Sequence, residues 1–467
     1  MVLKLFNTLG KLKVVFKPLK EKKVSMYVCG PTVYDYAHIG NFRAYVFGDL
    51  IKRYLQYKKY KVKQVMNLTD VDDKTIRDSQ KAGISLKDFT EKYIKAFLKD
   101  LDSLNIERAE KYPKATDHIE EMVATVKILL EKGVAYRGED NSIYFNISKF
   151  KDYGKLSGMK LKELKTGARV KQDEYTKDEA SDFVLWKAWD EKDGPVFWET
   201  ELGKGRPGWH LECSVMSMKY LGKTFDIHTG GIDLVFPHHE NEIAQSEAAT
   251  GEKFVNYWVH NEWMLVNGKK MSKSLGNFYT LRDLIAKGYS PKAIRYLLLS
   301  AHHKTQLNFT LEGLKDVEKT VNRLIEFMSR LEEYKSKADS NPKVADLIKN
   351  VKNRFEEKMD DDLNTPLALA AIHEFTSEIN RLMAENKLST EDAKKVHEQM
   401  LSFDKVLGIL AQKKEKIPEE ISKLLKERQK ARKSKDFNKS DELRDKIRKL
   451  GWEVQDTSDG QKLRKQV

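Results

Sequence analysis

The sequence has few of the features that mark secreted or membrane-bound proteins. Only two of its 467 residues are cysteines, too few for a disulfide framework. No run of apolar residues approaches the roughly 20 that a membrane span needs. Lysines interrupt the apolar residues at the N-terminus too often for a signal peptide. We therefore expect a soluble, cytoplasmic protein without a membrane partner, and we find neither internal repeats nor low-complexity segments.

Acidic residues are the minority among the charged side chains. Asp and Glu total 71 against 85 Lys and Arg, which gives a net charge of +14. Such an excess favours a polyanionic partner such as a nucleic acid, although a Lys/Glu-rich surface can also serve solubility or heat tolerance. Residues 401–467 carry 19 basic and 12 acidic side chains, so half of the excess lies in the last seventh of the chain. This concentration favours the nucleic-acid interpretation.

The first part of the chain alternates strand and helix patterns. Residues 24–28 form an apolar run that ends in Cys-Gly-Pro, which predicts a buried strand. Residues 41–57 have helical periodicity with Asn41 suited to the N-cap, residues 61–68 predict a second strand, and residues 69–73 open another helix. Strand, helix, strand and helix in this order predict the α/β class, with a parallel sheet of the Rossmann type.

Changes in pattern predict the domain boundaries. The α/β pattern stops at about residue 112 and resumes near Trp209, and a helical pattern begins at about 311. A basic unit follows Pro418 and is expected to be mostly helical until Gly451. We predict a first half of the α/β domain (1–111), an inserted region (112–206), a second half (207–265), a loop region (266–310), a helical bundle (311–410) and a basic C-terminal unit (411–467).

Two segments have the composition of phosphate-binding loops. PTVYDYAHIGN (31–41) precedes a predicted helix N-terminus, where unpaired N–H groups favour anions. There His38 can donate to a phosphate oxygen, and Gly40 permits close approach. Lys270-Met271-Ser272-Lys273-Ser274 lies in a Gly-flanked loop and suits a mobile arm that neutralises a transferring phosphoryl group. Taken singly, the first is also a common turn and the second also a common solvated charge cluster.

The two cysteines lie in segments that suggest a metal site. Cys29 ends the first strand and Cys213 lies in GWHLECSVM, while His238 and Glu242 in PHHENEIAQ share a helix face at i, i+4 spacing. Two thiolates, an imidazole and a carboxylate make a plausible tetrahedral zinc site. His239 and Glu240 are the nearby competitors, which the i, i+4 spacing disfavours. The alternative is a buried histidine with two inert thiols.

Taken together, these motifs resemble a known enzyme family. The two loops match the HIGH and KMSKS signatures of class I aminoacyl-tRNA synthetases, with Asn41 in place of the final histidine of the first. With the cysteine contexts, the chain resembles the cysteinyl-tRNA synthetase family from about residue 3 to the basic C-terminus. Further matching segments are NLTDVDDK (67–74), KFKDYGKLSG (149–158), DFVLWK (182–187), TGGIDLVFPHHENEIAQ (229–245) and MDDDLNTP (359–366). WETELGKGRPGWH is a local departure from the family pattern.

The resemblance implies a reaction and roles for individual residues. It implies ATP-dependent activation of L-cysteine to cysteinyl-adenylate and transfer of the cysteinyl group to the terminal adenosine of tRNA-Cys. It implies one Zn²⁺ per chain, which also binds the substrate sulfur, and Mg²⁺ with ATP. The implied site residues are Cys29, Cys213, His238 and Glu242 for zinc; Thr69, Trp209 and Asp233 for cysteine; His38, Gly40, Asn41, Lys270, Ser272 and Lys273 for ATP; and, among the last group, His38, Asn41, Lys270 and Lys273 for catalysis.

The C-terminal third bears on partners and on rival interpretations. By resemblance, residues 266–310 contain the KMSKS loop and a stem contact, and residues 311–410 with the basic unit bind tRNA. Trp452 is a candidate for base stacking or for the core of that unit. A cysteine ligase acting on an aminosugar would share the catalytic core but lack the long C-terminal region. An inactive RNA-binding paralogue is the other alternative, which the intact KMSKS motif and complete zinc set disfavour.

Overall fold

The computed structural model describes residues 2–159, 169–170, 181–272, 275–410, 418–457 and 460–465. The chain divides into two compact units, Met1–Leu410 and Ala411–Val467. The strands described in the larger unit are β1 (Lys4–Asn7), β2 (Leu12–Val15), β3 (Lys23–Val28), β4 (Lys61–Met66), β5 (Ala135–Arg137), β6 (Ile143–Phe145), β7 (Arg169–Val170), β8 (Asp182–Ala188), β9 (Gly205–Pro207), β10 (Phe225–Gly231), β11 (Val255–Asn261), β12 (Met264–Val266), β13 (Lys269–Lys270) and β14 (Leu307–Phe309). Its helices are α1 (Ile39–Tyr57), α2 (Asp73–Ala82), α3 (Leu86–Ser103), α4 (Ile119–Glu131), α5 (Trp209–Leu221), α6 (His238–Thr250), α7 (Leu281–Ala286), α8 (Pro291–Leu299), α9 (Leu311–Glu333), α10 (Pro342–Asp360), α11 (Thr365–Ala384) and α12 (Thr390–Leu407).

A parallel four-stranded sheet in the order β11-β10-β3-β4 lies at the centre of this unit. Helix α1 connects β3 to β4, and α6 connects β10 to β11, so the two halves of the sheet grow outward in opposite directions. Ligands bind such sheets at the carboxyl ends of the strands where the strand order reverses. In this sheet the strand order reverses between the neighbouring strands β3 and β10, so that position is at their carboxyl ends. The α/β Rossmann-type class predicted from the sequence is confirmed.

The start of α1 differs from the prediction. The helix begins at Ile39 and His38 is its N-cap, whereas Asn41 occupies the third helical position instead of the predicted cap. The two side chains form a reciprocal capping box, which satisfies two backbone N–H groups at this helix end. Strand β4 also ends earlier than predicted, at Met66, and α2 begins at Asp73 behind an Asp72 cap.

The region between β4 and β10 forms a second sheet with its own core. The strand order in this sheet is β5-β6-β8-β7, and β9 pairs with β8. Phe145 and Phe183 stack at 5.0 Å between ring centroids, within a cluster that also buries Trp186. C-terminal to the parallel sheet, helices α9–α12 bury regularly spaced apolar residues such as Leu324, as the sequence pattern predicts.

The smaller unit pairs two helices with a hairpin. It contains α13 (Glu419–Lys433), α14 (Phe437–Lys449), β15 (Trp452–Thr457) and β16 (Gly460–Lys465). Trp452 is 8% exposed and packs with Ile421, Ile447 and Val454, so it belongs to the core and does not present its ring for base stacking. Across the parts of the chain that the structure describes, no helix has the length and apolar character to cross a bilayer.

Candidate active site

The four predicted metal ligands meet at the position where the strand order reverses. Cys29 follows β3, Cys213 lies in α5, and His238 and Glu242 lie one turn apart on α6. The two Sγ atoms are 4.0 Å apart, and His238 Nε2 is 3.1 Å from Glu242 Oε1. One ligand atom from each residue lies within 4.8 Å of the others, and all four residues are buried. This buried Cys/His/Glu cluster is compatible with a metal site.

A second set of potential ligands overlaps the first. Cys29 and Glu242 also form a group with His228 of β10 and with His239. The Nε2 atom of His239 lies 3.3 Å from Cys29 Sγ, so this residue, which helical spacing disfavours, is also close enough to act as a ligand. The other competitor, Glu240, faces elsewhere because its carboxylate accepts the backbone N–H groups of residues 154, 156 and 157.

Charge within the cluster favours a cation. Burial would raise the pKa of Glu242, but His228 and His238 outweigh this effect and lower the pKa to about 2. Burial would likewise lower the pKa of His238, yet Cys213 and Glu242 raise it to about 10. The position of the His238 ring, next to Cys213 and Glu242, is therefore one where a positive charge is stabilised.

Hydrogen bonds from further residues orient the cluster. His228 Nε2 lies 2.9 Å from Glu242 Oε2, whereas His238 faces the other carboxylate oxygen, Oε1. His239 Nδ1 lies 2.8 Å from Nε2 of His260, and Nδ1 of His260 lies 2.7 Å from Thr8 Oγ1. Sequence reasoning missed His228, His260 and Thr8. The two histidines sit in short strands without any motif spacing, and only the register of β10 and β11 brings them together.

The predicted cysteine-binding residues lie around this cluster. The indole of Trp209, at the start of α5, stacks on His238 with 4.1 Å between ring centroids. Thr69 is buried and donates from Oγ1 to Glu212 Oε2 across 3.0 Å. Burial raises the pKa of Glu212 well above its ordinary value, and sequence reasoning had not singled this residue out. Asp233 is exposed on a short turn after β10.

The HIGN segment is fixed by its own capping hydrogen bonds. His38 Nδ1 accepts the N–H of Asn41 at 3.2 Å, and Asn41 Oδ1 accepts the N–H of His38 at 3.1 Å. Because Nδ1 is an acceptor, a neutral His38 carries its proton on Nε2 and presents that nitrogen as a donor. A Cβ atom at Gly40 would lie 2.9 Å from the His38 ring and 3.5 Å from the Met271 methyl, so glycine is required for this packing.

The KMSKS segment approaches the same helix start. Lys270 is exposed at the end of β13, with its ammonium 5.1 Å from the ring centroid of Trp263. Asn277 accepts the N–H of Ser272 at 2.8 Å and donates to the carbonyl of Lys270 at 3.1 Å. The predicted catalytic residue Lys273 lies outside the described residues. The N–H of Ile39 donates to the carbonyl of residue 279, so the backbone that follows the KMSKS segment is joined to the start of α1.

Comparison with family models divides the chain into three matched regions. Residues 15–319 match the tRNA synthetases class I (C) catalytic domain, residues 354–412 match the DALR domain, and residues 414–464 match the cysteinyl-tRNA ligase anticodon binding domain. The matches in the C-terminal third count against the aminosugar ligase alternative, which lacks this region.

Curated relatives match over nearly the whole chain. The cysteine–tRNA ligase of Protochlamydia amoebophila is 51% identical over 99% of this chain and 98% of its own. The enzymes of Chlamydia muridarum and Brachyspira hyodysenteriae are each 48% identical, over 99% and 98% of this chain and the same shares of their own.

Solved structures share the fold at low sequence identity. Methionyl-tRNA synthetase of Mycobacterium tuberculosis, in complex with methionyl-adenylate, has a TM-score of 0.61 at 14% identity and covers 83% of this chain and 90% of its own. A leucyl-tRNA synthetase ternary complex from Agrobacterium radiobacter K84 also has a TM-score of 0.61, at 11% identity, and covers 85% of each chain. With the class I fold, the three matched regions and near-complete coverage of its curated relatives, the chain belongs to the cysteine–tRNA ligase family.

Proposed function

We propose that this chain activates L-cysteine with ATP as cysteinyl-adenylate and transfers the cysteinyl group to the terminal adenosine of tRNA-Cys. The observation that carries the proposal is the buried Cys/His/Glu cluster at the reversal of the strand order. A class I fold alone would fit any of several amino acids. Two cysteines, an imidazole and a carboxylate around one point suit the recognition of a thiol.

We assign zinc to Cys29, Cys213, His238 and Glu242. This set contains both thiols, and zinc in proteins prefers sulfur and nitrogen ligands. In the overlapping set, His228 is better placed as the partner that orients Glu242, and His239 as the partner that faces Cys29. When bound, zinc supplies a borderline-soft Lewis acid that retains a thiolate and gains far less from a hydroxyl. Mg²⁺ would accompany ATP.

The remaining residues bind and orient the reactants. Trp209 and Thr69 line the amino-acid pocket, and Asp233 pairs with the substrate ammonium. His38 donates from Nε2 to a phosphate oxygen, while Asn41 and Gly40 hold the helix start that presents it. Lys270 and Lys273 neutralise charge on the phosphates, to which the Ser272 hydroxyl donates a hydrogen bond, as the substrate carboxylate attacks the α-phosphate and pyrophosphate leaves. A ribose hydroxyl of the tRNA then takes the cysteinyl group from AMP.

Discrimination among amino acids tests this proposal. A pocket that worked by shape would separate near-isosteres by only about 10²-fold, whereas a site built around a specific polar contact rejects analogues by about 10⁴- to 10⁵-fold. We expect serine, alanine and 2-aminobutyrate all to be rejected at the higher level in ATP–pyrophosphate exchange. A 10⁴- to 10⁵-fold difference in kcat/KM corresponds to roughly 5.5 to 7 kcal/mol. Efficient activation of 2-aminobutyrate would contradict thiol recognition by the metal.

Metal content and tRNA charging complete the test. We expect one zinc per chain, and we expect Cys213→Ser to lose both the metal and cysteine activation. Ser217→Ala, one turn further along α5, is the matched control and should retain both. Charging of purified tRNA should require cysteine, ATP and the full chain. Full exchange activity in metal-free enzyme would overturn the zinc assignment and leave the ligase activity standing.

A further inference from the structure

A polar cavity lies in the larger unit at a distance from the catalytic cleft. It has a volume of about 540 Å³ and lies between the C-terminal end of α1, helices α10 and α12, and the segment that follows α3. Helix α1 begins at the HIGN segment and ends 19 residues later at the cavity, a length of about 28 Å. Small-molecule sites have volumes of about 300–1,000 Å³, and the proposed function gives this cavity no role.

Cations outnumber carboxylates in the lining of the cavity. Four lining side chains are cationic and two are anionic: Arg53, Lys59, Lys352 and Lys405 on one side of the balance, Glu107 and Glu356 on the other. The question is which of these charges are already compensated within the protein.

The arginine and both carboxylates have partners in the structure. The Arg53 side chain is 8% exposed, and its guanidinium lies 2.8 Å from Asp49 and 3.5 Å from Glu107. It also donates to the backbone carbonyls of residues 105 and 405. Glu356 Oε1 accepts the hydroxyl of Tyr57 at 2.8 Å. These groups form a fixed wall in which the positive and negative charges are close to balance.

The three lysines have no such partner. Among the described residues, no carboxylate lies within 4.0 Å of the ammonium group of Lys59, Lys352 or Lys405. Lys59 and Lys405 lie near the C-terminal ends of α1 and α12, where a cation also offsets the helix dipole. Lys352 lies in the middle of α10, where the dipole supplies no such reason. Three uncompensated ammonium groups around one cavity favour a ligand with several negative charges.

A buried amide on the wall of the cavity lacks a hydrogen-bond partner. Nε2 of Gln399 in α12 is shielded from solvent and bonds to no described residue. A buried donor without a partner is unfavourable, and such groups in proteins are usually satisfied by water or a ligand. Gln399 as a whole is half-buried, so a small rotation of its side chain brings this N–H group to an acceptor in the cavity.

The lining also discriminates between anionic ligands. Ionised carboxylates such as Glu107 and Glu356 can only accept hydrogen bonds, so a free polyphosphate cannot use them. The hydroxyls of a sugar and the amino group of a base can. Proteins bind a nucleic acid strand along a groove that follows its backbone, whereas this cavity is bounded by three helices. Its volume suits one nucleotide.

We infer that this cavity is a second nucleotide site, which binds a nucleoside polyphosphate with its phosphates at Lys59, Lys352 and Lys405 and its nucleoside among the amide and carboxylate groups. The site is separate from the cleft that the proposed function assigns to ATP. Its existence does not depend on that function, because binding there requires none of the proposed catalytic residues.

Equilibrium dialysis of the full chain against radiolabelled GTP tests this inference. The ATP site is first filled with a non-hydrolysable analogue of cysteinyl-adenylate. We expect one GTP to bind per chain, with an affinity that falls as salt is added, because the contacts are with phosphates. Lys352→Gln and Lys405→Gln should each weaken GTP binding about tenfold, the level at which hydrogen bonds to charged groups contribute.

Lys349→Gln and Lys394→Gln are the matched controls. Both are exposed lysines of the same two helices that do not line the cavity, and their variants should bind GTP as the wild type does. All four substituted lysines are exposed, so the changes remove no core contacts. Absence of GTP binding to the blocked wild type, or equal losses in all four variants, would overturn the inference.

Two further probes identify the class of ligand. Inorganic tripolyphosphate should bind less tightly than GTP, and equal or tighter binding would overturn the assignment of the nucleoside. Purified tRNA should bind the Lys352→Gln and Lys405→Gln variants as it binds the wild type. Loss of tRNA affinity with unchanged GTP binding would assign these lysines to nucleic acid and overturn the inference. A wild type without cysteine activation would refute the proposed function and leave the GTP result intact.

Discussion

The imidazole of His228 faces Glu242 across 2.9 Å between Nε2 and Oε2, and both side chains are fully buried. This contact leaves Oε1 of Glu242 facing His238, the side on which the two thiols lie. The proposed ligand carboxylate is therefore held by a residue that the sequence motifs do not mark.

Replacing His228 should weaken metal binding without abolishing the ligand set. We expect His228→Ala to lower the affinity for zinc by about 10- to 100-fold, because partners of ligating carboxylates contribute at this level. Competition with a chromogenic chelator measures the change. Thr229→Ala, the next residue of β10, is the control, and unchanged affinity in His228→Ala would show that Glu242 needs no such support.

The lysines of the KMSKS segment should act on the transition state. We expect Lys273→Ala to lower kcat for adenylate formation with little change in KM for ATP, since it would stabilise charge that develops during the transfer. Lys269→Ala, an exposed lysine of β13, serves as the control. Steady-state pyrophosphate exchange distinguishes a lower kcat from a higher KM for ATP. A loss confined to ATP affinity would instead assign Lys273 to ground-state binding.

Removal of the C-terminal unit should separate the two steps of the reaction. The boundary of the units lies at residue 411, and α12 buries Phe403 and Leu407 before it, so a cut at 401 would damage the core of the larger unit. Deletion of residues 411–467 should spare pyrophosphate exchange and strongly weaken tRNA charging. Equal losses in both assays would mean that the larger unit needs the smaller one to fold.

The smaller unit should lose stability in acid through Asp456. Its carboxylate pairs with the buried Arg428 at 2.9 Å, and the charge and hydrogen bond of Arg428 lower its pKa despite burial. Because the folded pKa lies below the unfolded one, the stabilisation is present above about pH 4 and is lost as pH falls further. Asp456→Asn should remove about 1–3 kcal/mol at pH 7, less than for a fully buried pair because Asp456 is 32% exposed. Thermal unfolding against pH measures this, with Glu453→Gln as control; an unchanged acid transition in Asp456→Asn would exclude the pair.

Local signals in the sequence predicted the elements that present the site, and tertiary contacts determined the rest. The apolar run before Cys29 predicted the strand end that presents this thiol, and the i, i+4 spacing of His238 and Glu242 predicted that their side chains face each other on one helix. The N-cap of α1 was assigned wrongly to Asn41 because asparagine is a common cap, whereas the actual capping box uses the His38 imidazole. His228, His260 and Glu212 could not be found, since their roles arise from strand register and burial and leave no periodic trace.

The ligand set is also separated in time during synthesis. Cys29 precedes Cys213 by 184 residues along the chain, with the inserted sheet between them. At about 5–20 residues per second, the ribosome adds the second thiol on the order of 10 to 40 s after the first. Throughout that interval the nascent chain contains only one of the two thiols. Capture of a metal by the proposed ligand set would therefore follow the synthesis of the second half of the sheet, late in the maturation of this domain.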